Sequence, residues 1–503
     1  MAEWGSLLRS CPLDEGRRFK SCRLRQKALP PSEETSGGGF FIFRAKPGLR
    51  YSLVDKSRPV GLFEPARLTA VVFLALILTG TVLLMMPFST AGPQWAPFLP
   101  SLFTATSAVS LTGLTVVDTG TYWTPLGQGI ILALIQLGGL GIMSLASLSG
   151  LLITGRVSFR ARQTGAAEGR PVTQGGIRRT LIFTVAFTLL VELLVAVILT
   201  LRFMVSYDHS FSRAVWEGVF HSVSAFNNAG FSTNTDNLVP FTADAWVLMP
   251  LAAALIGGGL GFPVWAELVR LTRRSRVRVH RISITARMTL TATAFLLLTG
   301  TIFMAFAEWN GVFGDMPVWQ RVLNAFFASA TSRTAGFNTF DYGEAHPITL
   351  MGTDILMFIG GGSAGTAGGV KVTTACVLIA AMAAEFLGRE DTSIGHRTLP
   401  RSVTRQSLAL AFAGVAVVTA GIGALRIFDP QFSGDEVSFE VMSAFATVGL
   451  STGITPELSA PSQVILCLIM YLGRVGPTTL IAALAATAVS RRFRYPEERP
   501  FIG

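Results

Sequence analysis

One short pattern occurs four times along this chain, and it restricts the fold more than any other feature. A Phe is followed four residues later by a small residue and ten residues later by a Gly. The copies are Phe103, Ser107 and Gly113; Phe220, Ser224 and Gly230; Phe326, Ala330 and Gly336; and Phe439, Ser443 and Gly449. Val116, Thr233, Thr339 and Thr452 stand three residues beyond the four glycines. The glycines are 117, 106 and 113 residues apart, so the chain reads as four tandem structural repeats.

Every copy lies between two apolar spans. The spans before it are 68–86, 180–201, 288–307 and 406–425, and those after it are 125–153, 245–266, 347–384 and 461–490. Residues 119–155 contain no Asp, Glu, Lys or Arg, a run longer than the roughly 20 apolar residues that cross a bilayer. Only 14% of the chain is charged, where soluble domains carry roughly a quarter. The expectation is an all-α polytopic membrane protein with four helix–pore loop–helix repeats, eight transmembrane helices around one central pore. Its divisions are a basic tail at 1–60 and repeats at 61–155, 156–270, 271–390 and 391–503.

Charge sets the topology. Arg clusters at 156–179, 270–281, 389–405 and 491–494 alternate with acidic connections holding Asp118, Asp208, Asp236, Asp244, Glu308, Asp315, Asp341, Glu344, Asp429, Asp435 and Glu436. The positive-inside rule makes the Arg clusters and both termini cytoplasmic. That sorting explains most of the +11 net charge without a nucleic-acid partner. Cys11, Cys22, Cys376 and Cys467 show no metal-ligand spacing, and no disulfide is expected. The excess of 36 Arg over 5 Lys suits a bacterial source with a GC-rich genome.

From the Phe to the residue before the Gly, each segment is about ten residues, roughly 15 Å as a helix and half a membrane. A half-membrane helix ending at Gly reads as a re-entrant pore loop, since irregular backbone at that depth must be buried or line a water-filled cavity. Close helix packing would explain any one of these glycines, but four in a shared frame favour a common site. Glycine lets a loop turn its carbonyl oxygens toward an axis, and stacked rings of carbonyls replace the hydration shell of a monovalent cation. The candidate filter residues are Leu111, Thr112 and Gly113; Asn228, Ala229 and Gly230; Thr334, Ala335 and Gly336; and Thr447, Val448 and Gly449.

The runs Ser107-Ala-Val-Ser-Leu-Thr-Gly113-Leu-Thr-Val-Val-Asp118, Asn227-Asn-Ala-Gly230-Phe and Arg333-Thr-Ala-Gly336-Phe-Asn resemble the filter signatures of the Trk/Ktr/HKT superfamily of potassium transporters. The resemblance covers roughly residues 60–492, and the lack of an apolar span before residue 60 likens the chain to KtrB-type membrane subunits. It implies potassium uptake across the cell membrane through a channel-like pore, with K+ held by backbone carbonyls and no cofactor bound by this chain. Gly113, where sodium-passing relatives carry Ser, implies potassium selectivity. A sodium-coupled potassium symporter, a less selective Na+/K+ permease and activation by Na+ stay open. The resemblance also implies a homodimer in the lipid bilayer, regulated by a separate cytoplasmic nucleotide-binding ring of the KtrA type. The basic loops and Arg491–Arg494 would be its docking surface.

Glycines also interrupt the second span of each repeat, at Gly138–Gly139, Gly257–Gly259, Gly360–Gly362 and Gly473. In the third repeat the interruption widens to residues 360–369, with Gly360, Gly361, Gly362, Ser363, Gly365, Thr366, Gly368 and Gly369, followed by Lys371. A run this rich in glycine breaks a helix. A phosphate-binding loop fails here, because Val370 precedes Lys371 and no Ser or Thr directly follows it. A mobile intramembrane gate below the filter is the better reading, and a passive kink the plainer one. Arg474 stands in mid-span, where an arginine must face a cavity or a partner. It lies 25 residues after Gly449, as Gly360 lies 24 after Gly336. Similar depth predicts that Arg474 meets the 360–369 loop. Asn227 and Asn228 are expected to brace the second filter segment, Arg333 to tie the third from behind, and Glu192 to pair with another repeat. No paired Asp, His or Ser residues at matching depths suggest an enzyme, and the five histidines share no metal-like spacing.

Overall fold

The computed structural model of the chain describes residues 65–486 except 93, 155–175, 273–281, 364 and 396. The expected tail at 1–60 and the Arg491–Arg494 cluster lie outside the described residues, as do all the arginines at 156–170 and 273–281.

Fourteen helices are named here: α1 (Pro65–Met85), α2 (Phe98–Ser110), α3 (Pro125–Thr154), α4 (Gly176–Ser206), α5 (Phe211–Phe226), α6 (Ala245–Leu260), α7 (Phe262–Thr272), α8 (Ile284–Ala307), α9 (Val318–Thr331), α10 (Pro347–Phe358), α11 (Val372–Phe386), α12 (Arg401–Phe428), α13 (Gly434–Ala446) and α14 (Ala460–Ala486). The all-α expectation needs one correction. A two-stranded antiparallel hairpin, β1 (Ser393–Ile394) and β2 (Arg397–Thr398), links α11 to α12. It turns at Gly395, whose φ is 61°.

Three helical segments among the described residues are long and apolar enough to cross a membrane: Ile182–Ser206, Ile284–Ala307 and Arg401–Phe428. Ala245–Leu260 with Phe262–Val269 makes a fourth, bent by 98°. These helices do not hide their apolar side chains. Leu189, Leu193, Leu194 and Leu201 on α4, Phe295, Leu298, Ile302 and Phe306 on α8, and Leu408, Phe412 and Val415 on α12 are all exposed. So much exposed apolar surface marks a contact with an apolar phase. Polar groups face inward instead: Thr184, Thr188 and Glu192 on α4 and Thr289 and Thr293 on α8 are buried.

The short helices α2, α5, α9 and α13 run 13, 16, 14 and 13 residues, longer than the expected ten. They begin upstream of the repeated Phe, where Pro97, Ser210, Pro317 and Ser433 occupy the N-cap positions. At α13 a capping box sets the start: Glu436 N donates to Ser433 Oγ at 3.2 Å, and Ser433 N donates to Glu436 Oε2 at 2.7 Å. Phe103, Phe220 and Phe439 are fully buried and anchor their helices. In the third repeat Phe327 takes that place, while Phe326 is only partly buried.

The glycines of the second spans behave less uniformly than expected. α3 departs from helical geometry at Gly141 (φ 65°), and the α6–α7 break falls at Gly261 (φ 90°). Only residues 359–371, between α10 and α11, form a wide interruption, while α14 runs through Gly473 without a break. Gly138, Gly258 and Gly473 instead permit close packing. A Cβ on each would run into the main-chain oxygen of Val109, Phe226 or Phe445, the residue four before its repeat's glycine. In three repeats, then, the second helix leans on the end of the short helix, and a methyl group would push it away.

Candidate functional site

The four conserved-spacing glycines meet. A Cβ on Gly113 would lie 2.5 Å from the Ala229 oxygen, and one on Gly230 would lie 2.8 Å from the Ala335 oxygen. Gly336 is set the same way against the Val448 oxygen, and Gly449 against the Thr112 oxygen, which closes the ring. Each main-chain oxygen before a glycine therefore lies against the glycine of a neighbouring repeat. Any side chain at these four positions would wedge the segments apart.

Backbone conformation follows the same repeat. Gly113, Gly230, Gly336 and Gly449 have φ of 93°, 71°, 74° and 94°. Two residues earlier, Leu111, Asn228, Thr334 and Thr447 also have positive φ, at 60°, 58°, 79° and 51°. Thr112, Ala229, Ala335 and Val448 between them do not. This alternation of φ accompanies the placement of each pre-glycine oxygen against the glycine of another repeat. The left-handed position costs roughly 1–2 kcal/mol for a side-chain-bearing residue, and such strain concentrates at functional sites. Sequence reasoning named Leu111, Asn228, Thr334 and Thr447 as filter candidates together with the glycines, but did not foresee their left-handed backbone. Only Asn228 carried a signal, since Asn tolerates that region.

Hydrogen bonds from the short helices hold the turns. Thr112 N, Ala229 N and Val448 N donate to the Ser107, Ser224 and Ser443 carbonyls at 2.8, 2.8 and 2.9 Å. Ser107 and Ser443 each accept again at Oγ, from Gly113 N and Gly449 N, both at 3.0 Å. Ser224 Oγ donates to the Phe231 oxygen at 2.8 Å. The third repeat has Ala330 in place of Ser and cannot follow suit. Its α9 ends at Thr331, five residues before Gly336, and Ala335 N donates to the Thr331 oxygen at 2.9 Å.

Behind these turns lie polar braces. Asn227 Nδ2 donates to Gln136 Oε1 at 2.8 Å and to Glu192 Oε1 at 3.0 Å, so Glu192 on α4 does meet another repeat through Gln136 on α3, which donates to Glu192 Oε2 at 3.3 Å. A brace that sequence reasoning missed is Glu440. Fully buried on α13, it accepts from Ser451 Oγ, from Thr455 Oγ1 at 2.9 Å and from Thr452 N at 3.2 Å. His221 holds the same register one repeat pair away, with Nε2 3.0 Å from Ser232 Oγ. Both residues directly follow the repeated Phe and both reach a Ser two beyond the Gly, a signal visible in the sequence. Arg333 makes no such brace. It is only 6% exposed, its Nε has no hydrogen-bond partner, and it borders a cavity shared with Leu260, Thr293 and Gly361.

The 359–371 segment lies directly against the turns. Gly362 N donates to the Gly259 oxygen at 2.8 Å, Gly360 N to the Val370 oxygen at 2.8 Å and Val372 N to the Gly361 oxygen at 3.0 Å. Ser363 Oγ is 2.7 Å from Thr373 Oγ1, and the Lys371 ammonium donates to the Ala367 oxygen. Gly368 and Gly369 pack on Ala446 and Thr447 so closely that a Cβ on Gly368 would strike Thr447 Oγ1. Gly365 is hemmed in by the Gly259 and Gly258 oxygens. Thr366 Oγ1 donates to Asn228 Oδ1 at 3.2 Å, and the Arg474 guanidinium donates to the Thr366 oxygen and, at 3.4 Å, to the Gly138 oxygen.

On the side of the acidic connections, Asp118 Oδ2 accepts from Thr235 Oγ1 at 2.8 Å and joins repeats one and two. Asp244 Oδ2 accepts from Arg202 Nε at 2.7 Å and from the Tyr207 hydroxyl at 3.2 Å. Burial, with the Asp244 charge beside it, pushes the Tyr207 phenol up to about 12. Asp429 is held below the usual carboxylate range. Burial pushes it upward, but donors from Ser462, Ser459 and Gln431 outweigh that.

Helices with apolar outer surfaces, arranged around four converging main-chain turns, define a helical membrane transport protein. The sequence profile of TrkH, described as a cation transport protein, matches residues 32–492, and the chain belongs to that family, which comprises transporters and not enzymes. It is 36% identical over 443 residues to the Ktr system potassium uptake protein B of Bacillus subtilis, covering 88% of this chain and 97% of the relative. It is 35% identical over 458 residues to the potassium/sodium uptake protein NtpJ of Enterococcus hirae, covering 90% of this chain and 100% of the relative. The crystal structure of the potassium transporter TrkH from Vibrio parahaemolyticus shares the fold, with a TM-score of 0.65 at 17% identity over 86% of both chains.

Proposed function

We propose that this protein takes up potassium through one pore, with the four turns as a carbonyl selectivity filter. The carrying observation is the closed ring of contacts in which the Thr112, Ala229, Ala335 and Val448 oxygens each adjoin the glycine of a neighbouring repeat. Four oxygens per layer, fixed by backbone and not by mobile side chains, substitute for the water around a dehydrated monovalent cation. The short helices end at the same place, and their partly negative C-termini favour a cation there. In this reading the four repeats, bounded near 155, 270 and 390, contribute eight membrane crossings with both termini cytoplasmic. Inward movement is driven by the membrane potential, about 2.3 kcal/mol per charge per 100 mV.

The 360–369 loop acts as the gate, with Arg474 as its tie and as a positive charge that opposes cations. Resemblance to Ktr-system proteins supports a homodimer and a separate nucleotide-binding regulatory subunit. A second reading, a sodium-coupled potassium symporter, is favoured by the NtpJ relative, whose name pairs the two ions. Complementation tests both. Expression in a bacterium lacking potassium uptake should restore growth at low potassium, and growth restored only with added sodium would favour the second reading. No restoration by a membrane-inserted protein would remove potassium uptake.

A further inference from the structure

We infer that Asn228 is a specificity-determining positioning residue whose conformation depends on the intramembrane loop, through Thr366. This rests on the filter and gate reading above and says how the two parts communicate.

Thr366 is held at two atoms by two different parts of the molecule. Its carbonyl oxygen accepts from Arg474 on α14, and its hydroxyl donates to Asn228 Oδ1 at 3.2 Å. Its own N–H donates to the Gly258 oxygen at 3.3 Å. Asn228 is itself one of the left-handed residues, with φ 58°, and its peptide precedes the Ala229 oxygen that adjoins Gly113. The other end of its amide, Nδ2, lies 3.5 Å from Thr334 Oγ1, the equivalent residue of the third repeat. A single buried side chain, 1% exposed, thus links the loop to two of the four turns.

The consequence is mechanical. A movement of residues 360–369 that separates Thr366 from Arg474 also takes the hydroxyl from Asn228 Oδ1. The amide is then buried with an unpaired acceptor, which is costly, and it must turn to find a new donor. Asn228 sits in a backbone region that needs outside support, so its peptide relaxes with it, and the oxygen ring loosens on the side of repeats two and three. Opening and ion discrimination are therefore coupled in this protein: the ring is tightest while the loop is seated.

The test compares the ratio of rubidium to sodium affinity with the loop seated, read as each ion's protection of purified full-length protein against thermal unfolding. The proteins compared are wild type, Thr366→Val, Thr366→Ser, Asn228→Ala and the double variant Thr366→Val/Asn228→Ala. Valine keeps the Thr366 carbonyl and its bond from Arg474 while removing the hydroxyl. The rubidium-to-sodium ratio should fall about 5- to 10-fold in Thr366→Val, the loss of one buried hydrogen bond, and stay within about twofold of wild type in Thr366→Ser. The double variant should be no worse than Asn228→Ala alone, because both changes remove the same link. A wild-type ratio in Thr366→Val, or losses that multiply in the double variant, would overturn the inference. Thr366→Ser guards against misfolding: if Thr366→Val is not recovered as a monodisperse protein, a Ser variant with the valine-like ratio overturns the inference, and one that keeps the wild-type ratio supports it. Wild type that binds neither ion would instead count against the proposed function, not against the link.

Discussion

Arg474 donates its guanidinium to the Thr366 carbonyl, joining α14 to a loop 108 residues earlier in the chain. A second bond reaches the Gly138 oxygen on α3 at 3.4 Å. The arginine thus ties the loop between the last and the first repeats.

Replacing Arg474 with Ala should free the loop. Charged hydrogen bonds contribute about 1.5–3 kcal/mol, so the balance between seated and displaced loop should shift roughly 10- to 100-fold. The expected outcome is faster rubidium uptake into proteoliposomes, with weaker dependence on any regulator. Unchanged uptake under all conditions would remove Arg474 from gating.

Gly113→Ala should abolish uptake, and by a local cause. A methyl group at φ 93° would lie 2.5 Å from the Ala229 oxygen, adding a clash to a left-handed cost of roughly 1–2 kcal/mol. Growth on low potassium should be lost while the protein still reaches the membrane. Normal growth would show that the ring tolerates a side chain.

Glu440→Gln tests the brace behind the fourth turn. The amide can still accept from Ser451 Oγ or Thr455 Oγ1, but it cannot accept at both ends as the carboxylate does. A loss of about 1–3 kcal/mol follows from one mispaired buried group. Thermal unfolding in detergent should drop by several degrees, with ion discrimination reduced. Wild-type values in both measurements would assign Glu440 no part in holding the turn.

Asp429 gives the protein an acid-sensitive joint between α12 and α14. Its folded-state pKa is lowered below the ordinary 3.8, so its stabilisation is complete above that value and is lost as pH falls through the lower folded-state pKa. Asp429→Asn should flatten the dependence of melting temperature on pH below about 3.8 relative to wild type. Parallel melting curves for the two proteins would contradict this.

The spacing of Phe and Gly located the segments that the structure brings together, because a backbone device repeats as a register even when side chains drift. The third loop was equally legible, since a run of glycine leaves helix formation no support. What sequence could not expose were consequences of contact. Gly473 reads like a helix breaker, yet α14 is continuous there because the glycine answers to the Phe445 oxygen on another helix. The left-handed Leu111 and Thr447 look like ordinary helix ends, and only the αL caps of α2 and α13 reveal them. Glu440 shares with His221 a place directly after the repeated Phe, a register the sequence does show, but its bonds to Ser451 and Thr455 form only after the chain has turned back.

The account depends on a cation sitting among the four turns, and heavy-ion diffraction addresses that most directly. Crystals grown with rubidium in place of potassium should show anomalous peaks on the axis enclosed by Gly113, Gly230, Gly336 and Gly449, at contact distance from main-chain oxygens. Well-ordered turns with no rubidium between them, or rubidium bound only at the acidic connections, would contradict it.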